Sequence, residues 1–392
     1  MEKLLIRNFK CFQGVEVNLN RLTVFAGANG NGKSTAIQAL LFLRRTIEHC
    51  SKWVNNRYDY SETNGLKVEL NGSYCLAFGD SSSISNRGTE EIITQLGIQN
   101  DSGQFQVTYE IEPSKLWLEP TAVEGSDYFE GSGLFFQEFY YLNAERIGPR
   151  ISQKIQFYDY PNTGYQGEFV AQLIGDTEFS YKYQVPSTRR CEGFNSPRLE
   201  QQVNAWLDYL MPSVSISAKY DTSTGTAQIR VENHFTKGNS ITAPNIGFGI
   251  SYVLPILVTG LIAKEGRFMI VENPEAHLHP SAQSKMGHFL GVMANSGINI
   301  IVETHSDHVI NGIQLATAKN AIKHQDISIN YFSKENKTQK ELDTDKVNKI
   351  QQQPLVKTIN LNEKGELSEW PSGFFDQTQL DYANLVKLRR NV

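Results

Sequence analysis

The chain has 392 residues, 40% apolar and 20% charged, with a net charge of −5. This is the composition of a globular protein long enough for one large α/β domain and a second lobe, and the negative total argues against a dominant nonspecific DNA-binding surface while allowing a local basic groove. Cys11, Cys50, Cys75 and Cys191 form no CxxC pair, the N-terminus MEKLLIRNFKCF lacks a signal peptide's apolar segment, and Leu254 to Ala263 is too short to span a bilayer, so the expectation is a soluble cytoplasmic protein without a zinc knuckle, disulfide framework or membrane anchor.

In chain order, Lys3 to Asn8 and Val15 to Leu19 read as short strands joined by a turn at Gln13 and Gly14. Leu22 to Ala26 is an apolar run that reads as a buried strand, and it leads straight into GANGNGKST, Gly27 to Thr35. Gly27, Gly32, Lys33 and Ser34 occupy the positions of a complete Walker A phosphate loop, set between a strand and a helix. The glycines let backbone N–H groups surround a phosphate, and the helix N-terminus adds its dipole. Lys33 is suited to the outer phosphates and the Ser34 hydroxyl to Mg2+, and Asn29, Gly30 and Thr35 complete the candidate nucleotide-binding set. The plainer reading is a glycine-rich turn beside a lysine.

The helix after the loop runs to about Cys50, and Ser51 to Gly65 is an aperiodic, exposed excursion. Strand patterns follow over Leu66 to Leu70, Ser73 to Phe78, Gln104 to Ile111 and Leu134 to Leu142, with turn-rich sections between them. They imply an antiparallel sheet built onto the nucleotide-binding one. Tyr141 to Arg150, YLNAERIGPR, ends that sheet; for Arg146 and Arg150 a phosphate contact, a subunit contact and a structural salt bridge are all open. Residues 151–240 carry no nucleotide motif. Helices over Glu168 to Gly175 and Leu199 to Leu210, and a hairpin of Val214 to Lys219 with Thr226 to Glu232, make a second lobe without coiled-coil heptads.

Gly247 to Lys264, GFGISYVLPILVTGLIAK, predicts glycines before an apolar helix in which Pro255 lies early or causes a kink. A Gly-Ser turn there either receives an anion or is an ordinary tight turn. Phe268 to Val271 is a buried strand running into Glu272, Asn273, Pro274 and Glu275. In a chain with a phosphate loop, the acid at that strand end is the expected Walker B partner, binding Mg2+ directly or through water. A helix over Ser281 to Met293 and a strand over Ile298 to Val302 lead to Glu303, Thr304, His305, Ser306, Asp307 and His308. Two strands thus deliver polar residues at their C-terminal ends, where open α/β sheets bind ligands. His277, His279, His305 and His308 also admit a zinc site, against packing and hydrogen-bonding roles. Asp326 to Phe332 and Val356 to Leu361 read as strands, and Phe374, Phe375, Leu380, Leu385 and Leu388 as residues for core packing or for a partner.

The motif order over residues 1–316 resembles the ATP-binding-cassette-like ATPases of the SMC and RecF group, in particular compact bacterial AAA-family ATPases associated with phage defence, Septu and retron-linked ATPases included. Residues 354–376, PLVKTINLNEKGELSEWPSGFFD, resemble a small C-terminal segment of one branch of these proteins. The resemblance implies an α/β, ABC-ATPase-like P-loop fold with an antiparallel sheet and an inserted helical or mixed lobe. Its expected divisions are an N-terminal ATPase lobe (1–150), the inserted lobe (151–240), a C-terminal ATPase lobe (241–325) and a small α/β extension (326–392).

It further implies that Asn245 to Ser251, NIGFGIS, is a variant signature motif, with Gly249 and Ser251 touching the γ-phosphate held by the other subunit of a head-to-tail homodimer or higher oligomer. Glu272 matches the magnesium carboxylate and His305 the switch histidine. The pattern departs at Asn273, where relatives often carry an acid that orients the attacking water; an amide holds water but accepts no proton. Either Glu275 takes over or hydrolysis is slow and ATP acts mainly as a dimerising switch. The expected function is an ATP- and Mg2+-dependent ATPase subunit of an anti-phage complex that senses or scaffolds DNA or RNA and regulates a separate effector, an HNH nuclease being one candidate. The alternatives are a nucleotide-stabilised interaction module, a DNA-repair-type SMC/RecF-like ATPase, and an autonomous nuclease, against which the missing HNH and PD-ExK constellations argue.

Overall fold

The computed structural model describes residues 2–60, 66–88, 91–125, 132–235, 238–245, 247–334, 353–371, 374–375 and 377–390. β1 (Glu2–Phe9) and β2 (Phe12–Leu19) form a hairpin that turns at Lys10 and Cys11. The expected turn at Gln13 and Gly14 falls inside the ladder, where Gly14 pairs with Arg7. Asn8 and Lys10 take the positive φ values of 50° and 51° that reverse the chain, so no glycine marks the spot. β3 (Leu22–Gly27) is buried along its whole length, and α1 (Lys33–Cys50) leaves the loop that follows it.

The excursion after α1 holds a small hairpin of β4 (Lys52–Val54) and β5 (Arg57–Asp59); its residues 61–65 lie outside the described set. β6 (Val68–Glu69), β7 (Ile93–Asn100), β8 (Gly103–Glu110) and β9 (Trp117–Gly125) join the first hairpin in an antiparallel sheet of order β2-β1-β7-β8-β9-β6. The strand expected over Ser73 to Phe78 is instead a 3-10 turn at Ser73–Cys75, where Tyr74 and Cys75 have φ of 54° and 55°, a conformation that cannot continue a ladder. β10 (Tyr140–Leu142) lies outside this sheet and pairs in parallel with the later strand at Phe268–Glu272.

Between the two stand β11 (Gln153–Lys154), α2 (Val170–Gly175), α3 (Thr177–Lys182), α4 (Leu199–Leu210), and the ladder of β12 (Val214–Asp221), β13 (Thr226–Asn233) and β14 (Ile241–Thr242). Helix α4 buries Leu199, Val203, Trp206, Leu207 and Leu210, one stripe at helical spacing. α5 (Phe248–Ile262) contains Pro255 and is buried without interruption from Val253 onward. β15 (Phe268–Glu272), α6 (Pro280–Asn295), β16 (Asn299–Glu303), α7 (Asp307–Ala318), β17 (Ile327–Ser333), β18 (Leu355–Ile359) and α8 (Gln377–Arg390) complete the chain.

The central sheet has the order β10-β15-β16-β3-β17-β18, parallel except for β18. β17 lies directly beside β3, so the boundary expected between residues 325 and 326 falls in front of a strand of the central sheet rather than an appended unit. Alternation along the strands divides the interior in two. Leu22, Val24 and Ala26 of β3, with Met269 and Val271 of β15, join the residues of α4 to α7, while Phe25, Phe268 and Ile270 face α1 and the antiparallel sheet. A sheet covered on both faces explains why its strands read as unbroken apolar runs. Arg44 of α1 is fully buried, pairs with Glu48 at 2.7 Å, and donates to the carbonyls of Leu134, Phe136 and Gln137. It ties the helix after the phosphate loop to the segment that enters β10.

Candidate nucleotide site

The loop after β3 is fixed from both sides. Gly27 has φ 134°, and a Cβ there would overlap the Phe332 carbonyl of β17; Asn31 Nδ2 donates to the same carbonyl at 3.2 Å. Gly32 has φ 94° and would meet the Phe12 ring with any larger side chain. Asn29, Gly30 and Ser34 are exposed, so the mouth of the loop is open. Lys33 is 3% exposed and folds across the loop, its Nζ donating to Gly27 O at 2.8 Å and Ala28 O at 3.0 Å. Burial lowers its pKa, against the raising effect of the Glu303 and Glu275 charges.

At the end of β15, Glu272 Oε1 accepts a hydrogen bond from the Tyr141 hydroxyl at 2.8 Å, and that hydroxyl accepts from Asn143 Nδ2 at 2.9 Å. Burial raises the Glu272 pKa, against the lowering effect of the Tyr141 hydroxyl and of the Ala144 backbone N–H. Strand register sets Glu272 opposite Glu303, and Glu303 opposite Phe25 of β3. Glu303 is thus one strand nearer to the phosphate loop. It is 4% exposed, accepts from Ser34 Oγ at 2.9 Å through Oε1, and has a buried Oε2 without a hydrogen-bond partner. Sequence reasoning did not assign this residue a role. The signal was there, an acid ending a buried strand, and it was the same signal that singled out Glu272.

Burial first, and the Glu272 charge second, push the Glu303 carboxyl from 4.5 up to about 7. Between those values the folded chain keeps a proton that the unfolded chain has released, so stability falls as pH rises through the window. Glu2, raised by burial to about 7, acts in the same direction. Denaturant unfolding of the nucleotide- and metal-free chain at about pH 5 and about pH 8 is expected to show greater stability at the lower value, with Glu303→Gln flattening part of the slope.

Asn273 has φ 46°, in the left-handed region that asparagine enters far more readily than glutamate. Its N–H donates to Glu303 O at 2.9 Å, and its Oδ1 is buried without a partner. Backbone conformation therefore accounts for an amide where an acid was expected. Glu275 uses both oxygens, accepting from Thr304 Oγ1 at 2.8 Å and from His305 N–H at 2.7 Å. It anchors the turn between β16 and α7 through one accepted bond on each oxygen, and burial raises its pKa. His305 itself is exposed, and partial burial first and the Lys33 charge second lower its pKa.

The start of α5 packs on the segment that follows β15. A Cβ on Gly249 would lie 3.1 Å from the His277 carbonyl, and Phe248 stacks on the His277 ring with centroids 5.3 Å apart. Ser251 lines a cleft with Arg150 and Gln153; Ile246 of the same motif lies outside the described residues. Arg146 is engaged by backbone carbonyls. It donates to the carbonyls of Glu272 at 2.7 Å, Asn273 at 2.6 Å and Asn143 at 3.1 Å, and lies 5.2 Å from the Tyr252 ring. Burial pulls its guanidinium down to about 10. Arg146→Ala leaves buried carbonyls without donors, so a loss of about 2–4 kcal/mol of stability is expected in urea unfolding, with Arg146→Lys losing less.

The remaining histidines have local roles: His279 accepts from Ser281 N–H at the start of α6 at 3.4 Å, and His308 lies 3.8 Å from Asp307. Among the described residues no group of three or more His, Cys, Asp or Glu is arranged to hold a metal ion. Magnesium asks for less than zinc, one or two protein oxygens completed by water and phosphate.

The model of a family described as "AAA domain, putative AbiEii toxin, Type IV TA system" matches residues 22–311, and that of a "Protein of unknown function (DUF3696)" matches residues 322–385. No curated protein matches the sequence. Among solved structures, an SMC head bound to the C-terminal winged-helix domain of ScpA is 13% identical with a TM-score of 0.50, over 92% of this chain and 98% of that one. The SMC head domain from Thermotoga maritima is 13% identical (TM-score 0.39, 84% of this chain and 94% of that one). The Pyrococcus furiosus Smc head with an extended coiled coil, bound to the C-terminal domain of ScpA, is 10% identical (TM-score 0.45, 92% and 97%). At 13% identity the first of these likenesses speaks to the fold alone, the mixed α/β P-loop fold of SMC heads and ABC-type ATPases.

Proposed function

The chain belongs to the AAA-domain family whose model spans residues 22–311, and from that premise we propose that it is an ATP-driven switch, two copies of which complete each other's nucleotide sites head to tail. The observation that carries this reading is the separation of the two phosphate-binding elements within one chain. The loop leaves β3, the signature turn packs beyond the end of β15, and β16 runs between those strands. Each copy therefore offers half of two sites.

The residues suit a magnesium triphosphate. Gly27, Gly30 and Gly32 hold positive-φ conformations at an open loop, and Glu303, bonded to Ser34 through one oxygen, has its other oxygen buried without a donor. Bound there, Mg2+ would neutralise the β- and γ-phosphate oxygens. Lys33 would exchange its two carbonyl partners for the outer phosphates, Ser34 would turn its hydroxyl to the metal, and His305 would face the γ-phosphate end. Gly249 and Ser251 of the second copy would supply the remaining donors at the start of α5. With Asn273 unable to take a proton, turnover is slow and the closed dimer long-lived. The expected result is a larger species with Mg-ATP, rising with protein concentration and absent with ADP, in light scattering. A chain of constant size under both conditions would sink the switch.

The wider reading, a cytoplasmic ATPase subunit of a bacterial anti-phage complex that senses or scaffolds DNA or RNA and regulates a separate effector such as an HNH nuclease, rests on the motif resemblance. Two features support it. The family's description reads "putative AbiEii toxin, Type IV TA system", and an SMC head of this fold is bound to a domain of another protein. No helix among the described residues is long and apolar enough to cross a membrane. The second reading, a nucleotide-stabilised interaction module, draws on Asn273; it predicts ATP-dependent assembly with no phosphate release above that of Lys33→Ala.

A further inference from the structure

We propose that Glu303 is the principal magnesium carboxylate of this site, and that Glu272, the residue the Walker B pattern selects, plays the lesser part. The inference rests on the ATPase reading and assigns a ligand that the motif order does not.

Three observations converge. The first is position in the sheet. Glu303 ends the strand next to β3, whereas Glu272 ends the strand beyond it, and neighbouring strands lie about 4.8 Å apart. Glu272 therefore starts about one strand spacing farther from the phosphate loop.

The second is direction. Glu272 is engaged by the Tyr141 hydroxyl. That donor belongs to β10, which lies on the side of β15 away from β16. Glu272 is drawn outward, while Glu303 reaches inward to Ser34.

The third is spacing. Magnesium holds oxygens at about 2.1 Å in a near-ideal octahedron, so two adjacent ligands lie about 2.9 to 3.0 Å from each other. Ser34 Oγ and Glu303 Oε1 are 2.9 Å apart. The pair already has the separation of neighbouring ligands and would need only to exchange a shared proton contact for a shared cation.

A purely structural role explains less. A buried carboxylate is costly unless its acceptors are filled, and Glu303 Oε2 is buried with none. A glutamine would bond Ser34 equally well without the charge. The unfilled oxygen and the retained acid both make sense if a cation, or its bound water, belongs beside them.

Binding of a fluorescent ATP analogue, titrated with Mg2+, tests this on the full chain. Glu303→Gln is expected to raise the half-saturating Mg2+ concentration by about tenfold or more, and Glu272→Gln to move it by less than about threefold. Glu303→Asp, which keeps the charge on a shorter arm, is expected to fall between the parent and the amide variant, and decides the matter if Glu303→Gln does not melt cooperatively. A magnesium response unchanged in Glu303→Gln or, failing that, in Glu303→Asp, or a larger shift in Glu272→Gln, overturns the assignment and leaves the ATPase reading intact. A parent chain that binds no nucleotide with or without Mg2+ overturns both.

Discussion

Lys33→Ala is expected to lower ATP turnover by about 10²- to 10³-fold, the usual scale for removing one charged group aimed at a reacting phosphate or oxyanion. The effect should be this large because Lys33 is the lysine that folds across the loop itself. The ammonium is nearly buried, its current partners are two loop carbonyls, and the charges around it are the carboxylates Glu303 and Glu275. A triphosphate entering without Lys33 would meet the Glu303 and Glu275 charges without the loop's own ammonium. Burying an ammonium is itself unfavourable, so the alanine chain should still fold, and its melting temperature separates lost chemistry from lost structure. Phosphate release equal to the parent chain's would mean that the loop does not hold the nucleotide.

Two inactive chains are expected to recover activity when mixed. Ser251→Arg blocks the start of α5 but leaves the phosphate loop intact, and Lys33→Ala does the reverse. A heterodimer of the two contains one site built from an intact loop and an intact signature turn. Random pairing makes about half of the dimers mixed, each with one good site of two, so a 1:1 mixture should reach ~25% of the parent rate in a symmetric head-to-tail dimer. Ser251→Ala, a smaller change, should lower turnover without preventing folding and serves as the check on the arginine variant. A mixture that hydrolyses no faster than the sum of its parts would mean that each chain carries its whole site.

The phosphate loop was legible because everything it needs is local. A strand, three glycines, a lysine and a serine follow one another within a few residues, and each has a distinct physical reason to be there. Helix α4 and the β12–β13 hairpin were legible for the same reason, since periodicity is a property of consecutive residues. What the sequence withheld depends on register between distant strands. Glu303 matters because β16 lies between β15 and β3, and neither apolar run announces its neighbours. Tyr140 to Leu142 were assigned to the antiparallel sheet for the same reason: a three-residue strand carries no sign of its partner. Backbone conformation was the other hidden term. Asn273 stood out as a departure, but the left-handed geometry that favours an amide there could not be read from its letter. The turns at Lys10 and Tyr74 were likewise missed because residues with ordinary side chains hold positive φ.

The place of β17 has a consequence for how this protein can be divided. The two matched segments end and begin at residues 311 and 322, which invites a cut between them. Yet β17 comes from the later segment and pairs with β3 from Leu22 to Gly27, while its Phe332 carbonyl receives Asn31 from the phosphate loop. A shortened chain would leave one edge of this apolar strand with unpaired main-chain donors and acceptors, an invitation to sheet-to-sheet aggregation. The two segments are therefore one folding unit, and the later one serves the nucleotide loop as its scaffold.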